Sequence, residues 1–151
     1  MNKKVFGRKL SRSRPAREAL FSALSRAMIL SGKIVTTHAK AKAVQGEIER
    51  FVTLAKKGDL SSRRRALGRL DNAKDALEML FGSVAPAFST RQSGFTRIIS
   101  LPRRTGDNAK MVRIEWTEKV TELKKEVKEK KEKPVKAKKV EKKSEPKTKS
   151  K

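Results

Sequence analysis

The residues of this chain that could do chemistry are cationic. Lysine and arginine contribute 40 of 151 residues, against 16 aspartates and glutamates, and the formal net charge at pH 7 is +24. All fifteen arginines lie within residues 1–116, whereas residues 117–151 hold fifteen lysines, seven glutamates and no arginine. Arginine presents a planar fork that suits bidentate phosphate contacts, whereas lysine is a point charge on a flexible stem. The composition therefore favours phosphate binding by residues 1–116.

Residues 1–116 are basic enough to attract polyanions without the tail. They hold 25 basic and nine acidic side chains, a net charge of +16. Such a field draws anionic partners from a distance and opposes compaction of the free chain. We expect nucleic acid as the first partner and an anionic membrane surface as the second.

Side chains for catalysis or metal binding are scarce. Cysteine and tyrosine are absent, and His38 is the single histidine. A disulfide framework, a thiolate zinc site and a cysteine nucleophile are therefore excluded. Gly32-Lys33 is not a phosphate loop, because Ala27 and Ile34 stand where that motif needs glycine and serine or threonine. We predict that the protein is not an enzyme, that it has no cofactor, metal or small-molecule substrate, and that His38 is a surface or capping residue.

The longest apolar stretch, Ala27–Leu30, is much too short for a membrane span or a signal-peptide core. The expectation is a cytoplasmic protein, and about 116 residues are enough for one domain.

Residues 1–14 carry six basic side chains, no acid and little apolar periodicity. Such a segment cannot bury enough surface to order itself, so we predict a binding arm that is mobile until an anionic partner holds it. Phe6 is its one candidate for stacking on a base. The basic residues of this arm are Lys3, Lys4, Arg8, Lys9, Arg12 and Arg14.

Helical spacing of apolar residues follows over residues 15–82. A first helix is predicted from Pro15 to Ser31-Gly32, with its alanines packed closely against a sheet or another helix. Residues 33–37 form a β-branched strand, and a long helix runs from a cap at Thr37 to the glycine stop at Gly58. Lys40 and Lys42 lie on the polar side of that helix.

Two shorter helices are predicted next. Ser61 can cap the first, whose adjacent arginines Arg63, Arg64 and Arg65 cover most of a helical turn, so that at least one should reach a partner. The second begins at Asp71 or Asn72 and ends at Gly82, before an irregular link over residues 83–93.

The period changes to two in residues 95–101 and 111–116, which predicts two antiparallel strands. Residues 102–110 read as their hairpin loop, where Arg103, Arg104 and Lys110 could grip a phosphate backbone. Residues 117–151 are low in complexity. We expect disorder there, with an induced helix near residues 118–133 as the alternative.

Short stretches of this sequence resemble bacterial ribosomal protein L17, in the family's order and spacing over residues 1–116. The matching stretches are Gly7–Arg12, Lys33–Thr37 with Lys40–Lys42, Leu54–Lys56, Gly94–Ile98, Gly106–Ala109 and Ile114-Glu115. The resemblance implies an α+β fold, with a mixed sheet and an antiparallel hairpin packed against about four helices. It also implies a structural role in the large ribosomal subunit, where the protein binds large-subunit rRNA near the peptide tunnel exit beside neighbouring ribosomal proteins.

Composition and the resemblance together give three segments: a basic RNA-binding arm (1–14), an α+β ribosomal protein domain (15–116) and a Lys/Glu-rich low-complexity tail (117–151) that is an addition to the family pattern. It maps the family's basic arm as far as Arg17 and its basic hairpin onto Arg97, Arg103 and Arg104. The full set of candidate RNA-binding residues is Lys3, Lys4, Arg8, Lys9, Arg12, Arg14, Arg17, Lys40, Lys42, Arg63, Arg64, Arg65, Arg97, Arg103 and Arg104.

An architectural DNA-binding protein that compacts the nucleoid is the principal alternative, because phosphate contacts carry no base information. A compactor should concentrate arginine on one wedge or ribbon, whereas here arginine is scattered over arm, helices and hairpin. A weaker alternative is a membrane-surface helix around Val120, Leu123 and Val127, which the neighbouring glutamates oppose.

Overall fold

The computed structural model describes residues 7–120. Within them the chain alternates between helices and three strands. The elements are α1 (Arg14–Ser31), β1 (Lys33–Thr37), α2 (His38–Lys57), α3 (Leu60–Arg69), α4 (Lys74–Met79), a π-helical segment (Leu80–Val84), α5 (Ala85–Ala87), β2 (Thr96–Ser100) and β3 (Met111–Trp116). The predicted α+β class is confirmed.

The first three elements follow the sequence closely. α1 begins at Arg14, one residue before the predicted start, with Pro15 in its first turn. It ends at Gly32, whose φ of 72° is left-handed and whose N–H donates to the Met28 carbonyl at 2.9 Å. α2 ends in the same way at Gly58, with φ 72°. Left-handed backbone suits glycine because it has no Cβ, so the predicted glycine stops are confirmed.

The predicted close packing of the α1 alanines is wrong. Its alanines, including Ala19, Ala23 and Ala27, are exposed, whereas the buried positions are Ser22, Ser25, Met28 and Ile29. Long apolar side chains remove more surface from water than alanine does. The helix is therefore turned so that Met28 and Ile29 enter the core.

The predicted fourth helix differs at both ends. Asp71 and Asn72 have φ of 51° and 58°, so α4 begins only at Lys74. The predicted stop at Gly82 is wrong, because the helical path continues through the π-helical segment into α5. Because the helical path continues, Val84 and Phe88 are buried in the core at 0% exposure. The free energy of burying these side chains outweighs the roughly 1 kcal/mol that a glycine within a helix costs.

The sheet has the order β1-β3-β2 and is antiparallel throughout. The predicted hairpin between β2 and β3 is confirmed, but the predicted mixed sheet is wrong. β1 and β2 run in the same direction, yet they never pair because β3 lies between them. Ile114 in β3 is opposite both Ile34 and Ile98.

One face of this sheet and the buried side of α2 enclose the core. Ile114 and Val112 in β3 are at most 2% exposed, and α2 contributes Val44, Ile48 and Phe51 at 1% or less. Ordered contacts extend past residue 116, since the Thr117 N–H donates to the Phe95 carbonyl at 3.0 Å. The predicted tail from 121 onward lies outside the described residues. Over residues 7–120, no helix combines the length and the apolar character needed to cross a membrane.

Candidate nucleic-acid interface

The described part of the predicted arm is a short turn ahead of α1. The Arg12 N–H donates to the Lys9 carbonyl at 3.2 Å, and Leu10 and Ser11 between them have φ of 52° and 51°. Arg8, Lys9 and Arg12 are exposed. None of the three is within 4 Å of a carboxylate belonging to residues 7–120. Lys3 and Lys4 lie outside the described residues.

The two arginines assigned to the end of the arm belong to the start of α1. Arg14 Nε donates to Glu18 Oε1 at 2.9 Å, an i,i+4 pair with both side chains well exposed. Arg17 is half-buried, and its Nη1 donates to the Arg12 carbonyl at 3.4 Å. Arg14 therefore has a carboxylate partner, whereas Arg17 braces the turn that precedes the helix.

The first turns of α2 meet the base of the hairpin loop. The His38 N–H donates to the Lys110 carbonyl at 3.0 Å, which fastens the start of the helix to the end of the loop. This contact brings Lys40 and Lys42 to the same end of the molecule as Arg103 and Lys110. Lys40 is half-buried and the other three are exposed.

The two loop arginines differ in how they are held. Arg104 donates to both carboxylate oxygens of Asp107, at 3.0 and 2.6 Å, and its own N–H donates to the Ala109 carbonyl. Arg103 has no carboxylate partner among residues 7–120. Arg104 therefore shapes the loop, and Arg103 is the loop arginine that is open to a phosphate.

The Arg104–Asp107 pair gives a measurable pH response. Hydrogen bonds from Arg104, and then from the Ala109 N–H, lower the pKa of Asp107 to about 2. Because the folded loop lowers the pKa of Asp107, the ionised carboxylate stabilises this loop conformation at pH values above the ordinary aspartate pKa. That stabilisation is lost as pH falls through about 2. We expect an NMR titration of the Asp107 carboxyl carbon to show a midpoint near 2.

Arg104→Gln should move that midpoint up toward the ordinary aspartate value, because the main donor is lost. Arg103→Gln removes the same charge from the neighbouring position and should leave the midpoint close to 2. Equal shifts in both variants would show that general charge, and not the paired geometry, lowers the pKa.

The three adjacent arginines of α3 cover the exposed side of a helix whose other side is buried. Ser62 and Ala66 are at most 2% exposed, so successive 100° steps carry Arg63, Arg64 and Arg65 around the solvent side. The Arg63 guanidinium lies over the Phe81 ring, 4.8 Å from its centroid. All three are exposed, without a carboxylate partner in the described part of the chain.

Arg97 on β2 faces away from the core and is held by a carboxylate. Its Nε and Nη2 lie 2.7 and 2.6 Å from Glu115 Oε1, across the strand pair. Arg113 Nε lies 2.8 Å from the other oxygen of Glu115, without the alignment of a hydrogen bond. Hydrogen bonding from Arg97, with the positive charge of Arg113, lowers the pKa of Glu115. Arg97 is therefore partly neutralised.

Ion pairs also occupy the middle of the molecule. Glu47 on α2 accepts from Arg69 at 3.1 Å and lies 3.6 Å from Arg50. Arg26 on α1 donates to Asp75 on α4 at 2.9 Å, and this hydrogen bond lowers the pKa of that carboxyl. Within residues 7–120 the cations without carboxylate partners thus lie mainly on the arm, at the hairpin end and on α3.

The structure sorts the predicted residues into groups. Lys40 and Lys42 join Arg103 at one end, the three α3 arginines form another exposed group, and Arg14, Arg97 and Arg104 are paired with carboxylates. Lys110, which the sequence places in the hairpin loop, joins the hairpin end. One basic residue outside the predicted set belongs with the α3 arginines: Lys57 lies in the last turn of α2, beside α3, and its position at the end of the predicted helix was the available signal.

The fold and these surfaces define a small basic α+β domain that presents arginines on several faces. The sequence model of the family Ribosomal protein L17 matches residues 20–117. Relatives described as "Large ribosomal subunit protein bL17" include one from Hydrogenobaculum sp. (strain Y04AAS1), 45% identical over 78% of this chain and 100% of its own length. Those from Staphylococcus epidermidis and Agrobacterium fabrum are 43% and 39% identical, over 72% and 78% of this chain and 96% and 83% of their own lengths.

The chain belongs to the ribosomal protein L17 family. Its role is therefore that of a structural, non-enzymatic component of the large ribosomal subunit in translation. These matches confirm the resemblance to the L17 family and the prediction that the protein is not an enzyme.

Proposed function

We propose that this protein stabilises large-subunit rRNA by neutralising its phosphates with the arm, the hairpin end and the α3 arginines. The observation that carries the proposal is that the basic residues of the described chain fall into two groups, those paired with a carboxylate and those without one. Arg8, Arg12, Arg64, Arg65 and Arg103 are exposed without carboxylate partners among residues 7–120. Solvated arginines on different faces suit a folded RNA that surrounds the domain, because phosphate contacts fix position without reading sequence.

The setting of this binding follows from the family resemblance. We propose that the domain lies near the exit of the peptide tunnel, in contact with neighbouring large-subunit proteins, on cytoplasmic ribosomes. The three-segment division, with an RNA-binding arm over residues 1–14, belongs to the same proposal. Lys3 and Lys4 would extend the row of phosphate contacts that Arg8, Lys9 and Arg12 begin.

A DNA-compacting role is the competing proposal. We would expect a compacting protein of this size to gather its arginines on one groove-inserting element. Here Arg103 is at the hairpin end and Arg64 is on α3, on different elements of the domain. This distribution and the similarity to large-subunit ribosomal proteins favour ribosomal RNA.

Sedimentation tests the proposal directly. We expect the protein in a cell extract to sediment with the large ribosomal subunit through a sucrose cushion and to stay with it after a high-salt wash. Burial of the protein within the subunit and contacts with neighbouring ribosomal proteins would hold it there after salt has screened its phosphate contacts. Recovery with chromosomal DNA, together with absence from washed subunits, would instead support the compacting role.

A further inference from the structure

One face of the sheet points away from the core, and we call it the outer sheet face. Side chains alternate along each strand, so Val112 and Ile114 are buried towards α2 whereas Arg113 and Glu115 point the other way. Val35, opposite Arg113 on β1, is 59% exposed. The outer sheet face consists of Lys33, Val35 and Thr37 on β1, Arg97 and Ile99 on β2, Leu101 after β2, and Met111, Arg113 and Glu115 on β3.

Arg113 stands at the centre of the outer sheet face, between two apolar side chains. Val35 and Ile99 are its direct partners in the two strand pairs, so a Cβ atom lies about 5 Å away on either side of it. The Arg113 side chain is 37% exposed. Its Nε is buried without a hydrogen-bond partner in the described part of the chain. The face therefore presents one guanidinium with an apolar group on each side.

The rows of side chains above and below Arg113 differ in character. About 7 Å along the strands in one direction lie Met111 and Leu101, which are half-buried and joined where the Leu101 N–H donates to the Met111 carbonyl at 3.0 Å. In the other direction Glu115 accepts from Arg97 at 2.7 Å. The outer sheet face therefore changes from an apolar row, through the row of Arg113, to a row of paired charges.

This surface fits a protein better than it fits RNA. An RNA phosphate would meet the Glu115 carboxylate, which repels it, and both Arg97 and Arg113 already lie within 4 Å of that carboxylate. Arginine and methionine are enriched at protein interfaces, whose centres are apolar. A second copy of this chain fits poorly, because two chains of net charge +24 repel each other.

The chemistry of the partner follows from the row of Arg113. A carboxylate placed over that row would pair with the exposed part of the Arg113 guanidinium, in the charge-assisted geometry that arginine favours. Apolar side chains on both sides of the carboxylate would remove Val35 and Ile99 from water. The complementary segment is therefore an acidic residue with apolar neighbours.

We propose that the outer sheet face docks a neighbouring protein of the large subunit, through a segment that presents a carboxylate flanked by apolar side chains. The carboxylate pairs with Arg113, and the apolar side chains cover Val35, Ile99 and Met111. The inference rests on the proposed function for its setting in the subunit. It assigns this face to protein, whereas the proposed function assigns other surfaces of the domain to RNA.

Photo-cross-linking in purified subunits tests the docking. The full chain carries benzoylphenylalanine in place of Val35, and large subunits that contain it are washed and irradiated. We expect a cross-link to one protein peptide that has an aspartate or glutamate between apolar residues. The same group in place of Arg64, on α3, should cross-link to RNA. If the bulky group keeps the chain out of subunits, Lys33 on the same face is replaced instead.

The cross-linked sequence, made as a fluorescent synthetic peptide, measures the part played by Arg113. Arg113→Gln should weaken binding of this peptide about tenfold, the usual effect of losing one hydrogen bond between charged groups, and should leave rRNA binding unchanged. The matched variant Arg103→Gln removes the same charge from the hairpin end. It should weaken rRNA binding and leave peptide binding unchanged. Far-UV circular dichroism and melting curves identify any variant that is misfolded.

Several results would overturn the docking while leaving the proposed function intact. They are a cross-link from the outer sheet face to RNA, no cross-link from subunits that contain the altered chain, and a cross-linked peptide without a carboxylate. Equal effects of Arg113→Gln and Arg103→Gln on peptide binding would have the same consequence. Unchanged rRNA binding in Arg103→Gln would instead count against the proposed function.

Discussion

Replacing Arg8, Arg12 and Arg103 together by glutamine is expected to weaken binding to large-subunit rRNA by about 10³-fold near 100 mM salt. All three are exposed without carboxylate partners among residues 7–120. A hydrogen bond to a charged group contributes about 1.5 kcal/mol, roughly tenfold in affinity. Each lost phosphate contact also lowers the salt dependence, so the slope of log K against log salt should fall by roughly 2–3. Filter binding across a salt series measures both quantities.

The matched control removes three arginines that are already paired. Arg26, Arg50 and Arg69 each lie within 4 Å of Asp75 or Glu47. Their replacement by glutamine changes the net charge by the same amount, yet we expect a much smaller loss of affinity and little change in slope. Equal losses in the two triple variants would mean that only total charge matters. The assignment of particular phosphate-binding residues would then be wrong.

Phe88→Ala is expected to lower the free energy of unfolding by about 3–5 kcal/mol. Phe88 is 0% exposed and follows α5 directly. Its ring meets Phe95 edge-on at 5.4 Å between centroids and meets Trp116 at 5.7 Å. Truncation would remove transfer free energy and would also leave a cavity between the end of the helical path, the residue before β2 and the last residue of β3. Urea unfolding followed by circular dichroism measures the change.

The control for this prediction is the next residue. Ser89 is exposed, and Ser89→Ala should change the free energy of unfolding by at most about 0.5 kcal/mol. A loss below about 1 kcal/mol in Phe88→Ala would show that the aromatic contact is not part of a close-packed core. Since most single-domain stabilities are about 5–15 kcal/mol, the expected loss would leave the free domain marginal.

Local signals predicted much of the secondary structure. The left-handed turns at Gly32 and Gly58 followed from glycine after an apolar helical run, and the hairpin followed from period-two alternation on both sides of a polar loop. Each of these depends on interactions within a few residues, and such interactions are visible in a sequence. The continuation of α4 past Gly82 was missed because Val84 and Phe88 are buried by residues distant in the chain.

The candidate site also combines features that local sequence shows with features that depend on distant residues. The sequence by itself determined that the protein is strongly cationic, where its arginines lie along the chain, and where most of the helices and strands lie. Some pairs, such as Arg14–Glu18 and Arg104–Asp107, are local, but only the tertiary structure decided the pairing of Arg97 and Arg69, because their carboxylate partners lie far away in sequence. Glu115 lies eighteen residues from Arg97, and Glu47 lies 22 from Arg69. Packing also decided which side of α1 is buried and placed β3 between its neighbours, since apolar burial is summed over the whole domain and not over one element.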